Sequence, residues 1–213
     1  MPESPIRVVV AENDHLARTA IRAYLKLASD IELIGEAEEG ISALAMVRDL
    51  EPDVLLTDIH MPGYDGVELT RLAMKLPAPP QVLCFTALAD DFVMREALLA
   101  GASGFLLKVD RPQVMLHGIR SAFNGEAVVS RHLLTSVLTT YPHRSQPPPG
   151  LTEADLELIR LVGAGLNNVQ IGEKLYLSPT TVKTYVTRLF SKTGSQNRAQ
   201  LSMRAHEWGL TKF

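Results

Sequence analysis

Two kinds of hydrophobic pattern alternate along the first 124 residues of the chain. Short apolar runs predict buried strands at residues 6–11, 31–37, 54–59, 81–86 and 104–108. Between them, apolar residues at helical spacing predict helices at about residues 15–28, 40–50, 66–76, 90–100 and 111–124. In the first of these helices the spacing is set by Leu16, Ala20, Tyr24 and Leu27. Strands that alternate with helices in this way predict an α/β fold with a doubly wound, five-stranded parallel sheet.

Residues 151–213 follow helical spacing throughout. Thr152 is a predicted N-cap for a helix that ends near residue 164, and a second helix is predicted over residues 168–175. Ser178 and Pro179 predict the start of a third helix, because a hydroxyl cap and a proline in the first turn favour helix initiation. A last helix is predicted over about residues 198–208. The short turn between the second and third helices predicts a helix-turn-helix in an all-α, four-helix domain.

A proline-rich stretch separates these two patterns. Residues 141–150 contain three consecutive prolines, which favour an extended, semi-rigid connection. Just before it, residues 131–140 carry apolar residues at helical spacing and predict a short packed helix, which either seals the first domain or relays its state. We predict a first domain at residues 1–126, a linker with a short helix at 127–150 and a second domain at 151–213.

Charge is distributed unevenly along the chain. Residues 1–150 carry 13 Lys and Arg against 19 Asp and Glu, whereas residues 151–213 carry 8 against 5. An acidic front and a basic back indicate a different partner for each part. No apolar stretch approaches the ~18 residues of a membrane span, and no signal peptide is evident, so we expect a cytoplasmic protein. The single cysteine, Cys84, lies in an apolar run and is expected to be a buried structural thiol.

Polar groups follow the predicted strands of the first domain. Glu12 and Asn13 follow the first strand, Asp58 the third, Thr86 ends the fourth and Lys108 ends the fifth. In doubly wound sheets, ligands bind beyond the carboxyl ends of the strands. Carboxylate oxygens suit Mg²⁺, and the cation, Thr86 and Lys108 together would neutralise a phosphoryl group on Asp58. A carboxylate nucleophile that forms an aspartyl phosphate is established chemistry.

Three segments carry a resemblance to a known family: TDIHMPGYDG at residues 57–66, LCFTA at 83–87 and GFLLK at 104–108. With them, residues 6–124 resemble the receiver domain of two-component response regulators. Residues 151–213, with GLNNVQIGEKLYLSPTTVKTYVTRLFSKTG at 165–194, resemble the LuxR-type DNA-binding domain of the NarL/FixJ family. The resemblance implies a flavodoxin-like strand order of 2-1-3-4-5 and phosphorylation of Asp58 by a histidine kinase.

The resemblance also assigns roles to the residues at the sheet edge. Asp58 is the expected phosphoacceptor, Thr86 the hydroxyl that contacts the phosphoryl group and Lys108 its counter-ion. Phe105 takes the place of the aromatic residue that changes orientation on activation. The expected Mg²⁺ ligands are Glu12, Asn13, Asp58 and the backbone carbonyl of His60.

Asn13 departs from the family pattern, which usually has two adjacent acids at this place. A neutral amide oxygen in place of a carboxylate predicts weaker Mg²⁺ binding. One alternative is therefore a receiver that acts as a dimerisation module without phosphorylation. A second is a Mg²⁺-dependent phosphate-ester hydrolase with Asp58 as nucleophile, which lacks a close second acid because Asp65 lies beyond the turn.

The third helix of the second domain has two faces. Val182, Val186 and Leu189 share one face and are expected to pack inward. The opposite face and its flanks carry short polar groups that reach base edges and long cations that reach phosphates or guanine. The predicted DNA contacts are Thr180, Lys183, Thr184, Thr187, Arg188 and Lys192, with Arg198 as a further phosphate contact.

We therefore interpret the chain as a DNA-binding transcriptional regulator rather than an enzyme. Phosphorylation at Asp58 is expected to control dimerisation and operator binding. The expected partners are a sensor histidine kinase, double-stranded operator DNA and a second copy of the chain, and the expected cofactor is Mg²⁺. The last helix is expected to bury Leu201, Ala205 and Trp208 and, by the resemblance, to form the dimer contact with its exposed side.

Overall fold

A computed structural model describes residues 4–87, 91–128 and 146–211. The chain divides into two compact units, with the boundary between Asn124 and Gly125. The helix predicted over residues 131–140 lies outside the described residues.

The first unit contains a five-stranded sheet in which every pairing is parallel. Its strands are β1 Ile6–Ala11, β2 Ile31–Ala37, β3 Val54–Thr57, β4 Gln81–Thr86 and β5 Gly104–Leu107. Their order in the sheet is β2-β1-β3-β4-β5, which confirms the predicted flavodoxin-like topology. All four residues of β3 are buried, since helices cover both faces of a doubly wound parallel sheet and the central strand meets no solvent.

The helices of this unit are α1 His15–Leu25, α2 Gly40–Leu50, α3 Gly66–Ala73, α4 Asp91–Ala100 and α5 Pro112–Phe123. Two of them end a turn earlier than predicted. After Lys26 and after Met74 the chain continues in tight turns, in which the next two amides each donate to the carbonyl three residues back. Because such turns keep an apolar residue near the helical spacing, the sequence pattern overestimated both lengths.

The apolar stripe that predicted α1 does not face the core. Leu16 and Leu27 are each 78% exposed, whereas Arg18, Ile21 and Leu25 are the buried residues of this helix. The pattern correctly predicted a helix but pointed to the wrong face, because the buried stripe contains an arginine.

One side of the sheet packs against α2 and α3. Val9, Leu55 and Val82 from three neighbouring strands form a cluster with Val47 of α2 and Leu69 of α3. All five side chains are essentially inaccessible to solvent. This packing holds the strands in register and so fixes which residues meet at the carboxyl edge of the sheet.

The second unit contains four helices in its described residues: α6 Glu153–Gly163, α7 Asn168–Leu175, α8 Pro179–Thr193 and α9 Arg198–Glu207. Thr152 and Asp155 form a capping box at the start of α6, and Ser178 caps α8, which carries Pro179 at its start, as predicted. Between α7 and α8 the chain turns sharply, and a Cβ on Gly172 would lie 2.5 Å from the Leu177 carbonyl oxygen. Only glycine permits this close approach of the two helices.

The core of the second unit is apolar and is shared by all four helices. Val182, Val186 and Leu189 of α8 are buried in it, as the helical spacing predicted. Leu201 and Ala205 of α9 are also buried, as predicted, whereas Trp208, which follows α9, is only partly buried against the same core. The opposite face of α8 is left exposed.

Candidate functional site

The register of the sheet brings two carboxylates together at its carboxyl edge. Thr57 of β3 pairs with Ala11 of β1, and the amide of Asp58 donates to the Ala11 carbonyl at 2.8 Å. The residues that follow these two strands, Glu12 and Asp58, are therefore neighbours. Both are buried, with 1% of Glu12 and 6% of Asp58 exposed. A pair of buried acids requires compensation by a cation.

Lys108 supplies that compensation. Its amide donates to the Thr86 carbonyl at 2.9 Å, which continues the β4–β5 pairing and aims the side chain at the acids. The ammonium nitrogen Nζ lies 2.9 Å from Asp58 Oδ2 and 2.9 Å from Glu12 Oε1. Burial alone would lower the pKa of Lys108, but its hydrogen bonds to the two carboxylates prevail and raise it. Lys108 is therefore charged at neutral pH.

The two carboxylate oxygens of Glu12 are held differently. Its Oε1 accepts from the Asp14 amide at 3.0 Å as well as from Lys108. Oε2 lies 2.7 Å from the ammonium, but within the described residues it accepts no hydrogen bond of good geometry. Burial raises the pKa of Glu12, although Lys108 and the Asp14 amide act in the opposite direction. Two neighbouring carboxylates, Glu12 and Asp58, offer the hard oxygens that Mg²⁺ prefers, so the residues present fit that metal.

Glu12 and Asp58 are the two acids that Lys108 pairs with at this point. No group of three or more His, Cys, Asp and Glu side chains lies close enough to hold a metal ion among the residues described. A metal at this site would need additional oxygens from neutral groups. That requirement agrees with the amide at Asn13 and the carbonyl at His60 that the sequence suggested.

The side chains of Asn13 and His60 are both exposed, and they line different cavities. Asn13 lines a cavity of about 490 Å³ together with Glu38, Glu39 and Pro62. His60 lines a separate cavity of about 330 Å³ that includes Phe92. Their roles as metal ligands stay predictions.

The loop that follows Asp58 is tightly folded. The amide of Ile59 donates to Asp58 Oδ1 at 2.7 Å, and the amide of Gly66 donates to the Ile59 carbonyl at 2.8 Å. A Cβ on Gly66 would lie only 2.3 Å from the Asp58 carbonyl oxygen, so α3 must begin with glycine here. Both oxygens of the Asp58 carboxylate are thus held, one by a backbone amide and one by Lys108.

Thr86 and Phe105 lie on the neighbouring strands and are both buried. Phe105 is paired across the sheet with Cys84, and Thr86 with Leu107. Burial raises the pKa of the Cys84 thiol to about 12, so this cysteine is structural, as the sequence predicted. The predicted contact of Thr86 with a phosphoryl group and the reorientation of Phe105 stay predictions.

Arg18 is a functional candidate that the sequence reasoning missed. It is buried on α1, and its guanidinium donates to the Glu12 carbonyl and to Glu38 Oε1, each at 2.6 Å. These bonds fix the backbone from which the Glu12 side chain projects. The sequence held one signal for this burial. Arg18 lies three positions before Ile21 and seven before Leu25, so helical spacing places it in the stripe that α1 buries.

The exposed face of α8 contains the residues that were predicted to contact DNA. Thr180, Lys183, Thr184, Thr187 and Arg188 are all exposed along this helix. The face combines short hydroxyl side chains with long cations, which is the composition required for reading base edges between phosphate contacts.

Lys192 lies one turn further along α8 and is also exposed, but it forms an ion pair. Its ammonium is 2.6 Å from Asp155 Oδ2, the carboxylate of the capping box at the start of α6. The same oxygen accepts from the Thr152 amide at 2.9 Å. Lys192 thereby ties the end of α8 to the start of α6.

The expectation that Arg198 contacts phosphate is wrong. Arg198 is only 5% exposed, and its guanidinium donates to Asn168 Oδ1 at 2.9 Å and to the Leu166 carbonyl at 2.5 Å. Burial lowers the pKa of Arg198 to about 10. The sequence pattern could not separate this residue from a surface cation, because its neighbours in α9 include polar residues.

Comparison with known proteins identifies both units. Residues 8–120 match the response regulator receiver domain, and residues 149–205 match the luxR family of bacterial regulatory proteins. The chain belongs to the two-component response regulators of the NarL/FixJ family, with a receiver and a LuxR-type DNA-binding domain. It is therefore a transcriptional regulator and not an enzyme, which removes the hydrolase alternative.

Two similar proteins, LiaR and ChrA, align with nearly the whole chain, and a third aligns with its receiver. The transcriptional regulatory protein LiaR of Bacillus subtilis (strain 168) is 33% identical over 204 residues, which span 94% of this chain and 97% of LiaR. The crystal structure of the response regulator ChrA, from a heme-sensing two-component system, is 30% identical with a TM-score of 0.53, covering 97% of this chain and 99% of ChrA. The receiver domain of NarL from Mycobacterium tuberculosis is 31% identical with a TM-score of 0.56, covering 58% of this chain and 99% of that domain.

Within the described residues, no helix has both the length and the apolar character needed to cross a membrane.

Proposed function

We propose that a partner sensor histidine kinase phosphorylates this response regulator on Asp58, and that the aspartyl phosphate controls dimerisation and operator binding in the cytoplasm. One observation carries the proposal. The buried Asp58 carboxylate is held at 2.9 Å by the ammonium of Lys108, and a second carboxylate, Glu12, shares that ammonium. An added phosphoryl group would enter an arrangement that already contains its counter-charge.

The chemical step is a phosphoryl transfer to a carboxylate. A carboxylate oxygen of Asp58 forms a bond to phosphorus while the P–N bond of the kinase phosphohistidine breaks, and the leaving imidazole takes up a proton. Lys108 is already charged, so it balances the negative charge that the phosphoryl oxygens bring. The hydroxyl of Thr86 is the proposed donor to one of those oxygens.

Mg²⁺ is the proposed cofactor of this step. Glu12, Asn13, Asp58 and the backbone carbonyl of His60 would hold it. When bound, the cation supplies positive charge that stabilises the phosphoryl oxygens during transfer. Since Asn13 offers a neutral oxygen, Glu12 carries a larger share of the metal binding than in a site with two adjacent acids.

Phosphorylation would be transmitted through the residues that contact the new group. A hydrogen bond from the Thr86 hydroxyl to a phosphoryl oxygen would change the packing beside β5, where Phe105 lies buried. Phe105 is therefore the proposed switch residue. A coupling free energy of about 1–3 kcal/mol between Asp58 and the DNA-binding unit would be ordinary for such a regulator. The second unit would then bind double-stranded operator DNA as a homodimer.

We further propose that α8 is the recognition helix. Its exposed polar face would enter the major groove, with Lys183, Thr184 and Thr187 at bases. Thr180 and Arg188 would contact the edges of the site, and Lys192 a phosphate. The burial of Val182, Val186 and Leu189 supports this orientation, since it leaves the polar face as the side available to DNA.

Phosphorylation is tested by incubating the full chain with Mg²⁺ and acetyl phosphate and measuring its intact mass. The expected result is one added phosphoryl group in the wild type and none in Asp58→Asn. Thr57→Ser is a matched control that alters a neighbouring hydroxyl and keeps the carboxylate. An adduct of equal yield in Asp58→Asn would refute the phosphoacceptor assignment.

A second candidate function follows from Asn13. With a neutral oxygen in the metal site, the receiver would act as a constitutive dimerisation module, and DNA binding would not depend on phosphate. Operator affinity and sedimentation of wild type and Asp58→Ala, measured with and without acetyl phosphate at fixed salt, separate the two functions. Equal affinities and equal dimer fractions under all four conditions favour the second candidate.

A further inference from the structure

Two of the exposed threonines on α8 have hydroxyl groups that are already engaged within the helix. Thr184 Oγ1 donates to the Thr180 carbonyl at 3.1 Å, and Thr187 Oγ1 donates to the Lys183 carbonyl at 2.9 Å. Both bonds run back four residues along the same helix. The side chains nevertheless lie on the face that the proposed function assigns to DNA.

A threonine hydroxyl carries a single proton. When that proton is donated to the helix backbone, it is not available to the acceptors of a base edge, such as guanine O6 and N7 or thymine O4. The remaining groups are the oxygen lone pairs and the γ-methyl group. The helix therefore presents these positions to DNA chiefly as methyl groups, although the sequence suggests hydrogen-bonding side chains.

The back-bonded state is a preference of the helix itself and not a consequence of an empty surface. Thr193, which is buried at the end of α8, makes the same kind of bond, from Oγ1 to the Leu189 carbonyl at 2.7 Å. Bonds from Ser and Thr to the carbonyl four residues back are common in helices. A base acceptor would have to break such a bond before it could receive the proton, so no net hydrogen bond would be gained.

Thymine is the base whose major-groove edge carries a methyl group. Thr184 and Thr187 are three residues apart, so they lie side by side on the helix and about 4.5 Å apart along its axis. That separation is close to the roughly 3.4 Å rise between successive bases on one strand. The two methyl groups are thus spaced to meet two bases that are adjacent or nearly so.

We infer that Thr184 and Thr187 select thymine in the operator through methyl–methyl contact, and not through their hydroxyl groups. The inference rests on the proposed role of α8 as the recognition helix. Lys183, which immediately precedes Thr184 in sequence, supplies the polar contact in the same site. The operator half-site should therefore contain a thymine at each of the two positions that the threonines face.

The test begins with the full chain, treated with Mg²⁺ and acetyl phosphate, and a library of randomised double-stranded DNA. Sequences that are retained define a consensus, and each thymine in it is then replaced by deoxyuridine, which lacks only the methyl group. Wild-type affinity should fall roughly fourfold for each of the two methyl groups removed, the effect expected for one buried methyl. Replacement of thymines elsewhere in the same duplex serves as the control.

Two pairs of variants separate the methyl group from the hydroxyl. Thr184→Val and Thr187→Val keep the branched shape and remove the hydroxyl, and they should bind the consensus within about twofold of wild type. Thr184→Ser and Thr187→Ser keep the hydroxyl and remove the methyl, and each should lose affinity roughly fourfold and no longer distinguish thymine from deoxyuridine. Circular dichroism checks that the variants are folded.

Each outcome leads to a decision. Weak binding by the valine variants together with full binding by the serine variants would overturn the inference and establish hydroxyl readout, while the proposed recognition helix would stand. Insensitivity of the wild type to every deoxyuridine replacement would also overturn it, independently of any variant. A library from which no sequence is retained would refute operator binding itself, and the inference with it.

Discussion

Lys108 in the receiver is partly buried and Arg198 in the DNA-binding unit is buried, and the two cations are held in opposite ways. In the receiver, the Lys108 ammonium lies between two carboxylates, those of Glu12 and Asp58. In the DNA-binding unit, the hydrogen bonds of the Arg198 guanidinium go to neutral oxygens, those of the Asn168 amide and the Leu166 carbonyl, and the Glu126 carboxylate raises its pKa by less than burial lowers it. The partners raise the pKa of Lys108 despite its burial, whereas burial lowers that of Arg198 to about 10.

The difference shows which cation can take part in a switch. Lys108 is one charge in a group of three, so any new charge on Asp58 changes the balance that holds the group together. Arg198 completes hydrogen bonds that do not depend on a change of charge, and it links α9 to the start of α7. The charged group around Lys108 can therefore respond to a modification of Asp58, whereas the hydrogen bonds of Arg198 are structural.

The largest expected effect comes from removing the charge of Lys108. Lys108→Met leaves two adjacent buried carboxylates unpaired and should lower the free energy of unfolding by roughly 3 kcal/mol at neutral pH. Urea unfolding of the full chain, followed by circular dichroism, measures it, and the exposed lysine variant Lys26→Met is the matched control.

The loss in Lys108→Met should also depend on pH. The pKa of Glu12 is already raised by burial, so in this variant the folded state binds more protons than the unfolded state. The deficit relative to wild type should shrink as the pH falls through the raised pKa of Glu12 and towards its unfolded value of 4.5. A deficit that is equal at neutral and at acidic pH would show that the cation is not compensating the acids.

Arg198→Met should have the next largest effect. It leaves the Asn168 amide oxygen and the Leu166 carbonyl without their donor, at a cost of about 2 kcal/mol. Trp208, the only tryptophan of the chain, packs against the core of this unit, so its fluorescence during urea unfolding reports the change. A variant of unchanged stability that binds DNA weakly would restore Arg198 as a phosphate contact and break the comparison.

Asn13→Asp tests whether residue 13 binds the metal at the receiver site. A third acid beside Glu12 and Asp58 adds a charged oxygen for Mg²⁺, and the affinity should rise about tenfold. Calorimetric titration of Mg²⁺ into the unphosphorylated chain measures it, with Asn13→Ala as the matched control. If all three forms bind Mg²⁺ equally well, residue 13 is not a metal ligand.

The smallest effect is expected at Lys192. Since its ammonium is paired with Asp155, Lys192→Ala should lower the stability by less than about 1 kcal/mol. If Lys192 contacts a phosphate, as proposed, Lys192→Ala should also lower the slope of the salt dependence of DNA affinity by about 0.9, whereas Lys183→Ala, which removes a base contact, should lower the affinity with little change of the slope. A slope that is unchanged in Lys192→Ala would show that Lys192 does not contact a phosphate.

Local hydrophobic and polar patterns in the sequence were enough to predict much of the fold and part of the candidate site. The alternation of apolar runs and helical spacing gave the order of the strands and helices, since both periodicities depend on near neighbours in the chain. A polar residue at the end of a buried strand pointed to Asp58 and Lys108 for the same reason. The two faces of α8 followed from the spacing of Val182, Val186 and Leu189.

Long-range packing determined which distant residues meet in the folded chain. Lys108 and Glu12 are 96 positions apart, and only the strand order places their side chains within 2.9 Å of each other. The same holds for Arg18 and Arg198, whose burial depends on hydrogen-bond acceptors supplied by other parts of their units. The orientation of the Thr184 and Thr187 hydroxyls was also invisible in the sequence. Composition and spacing identify which groups are present, whereas burial and hydrogen bonding determine what each can still bind.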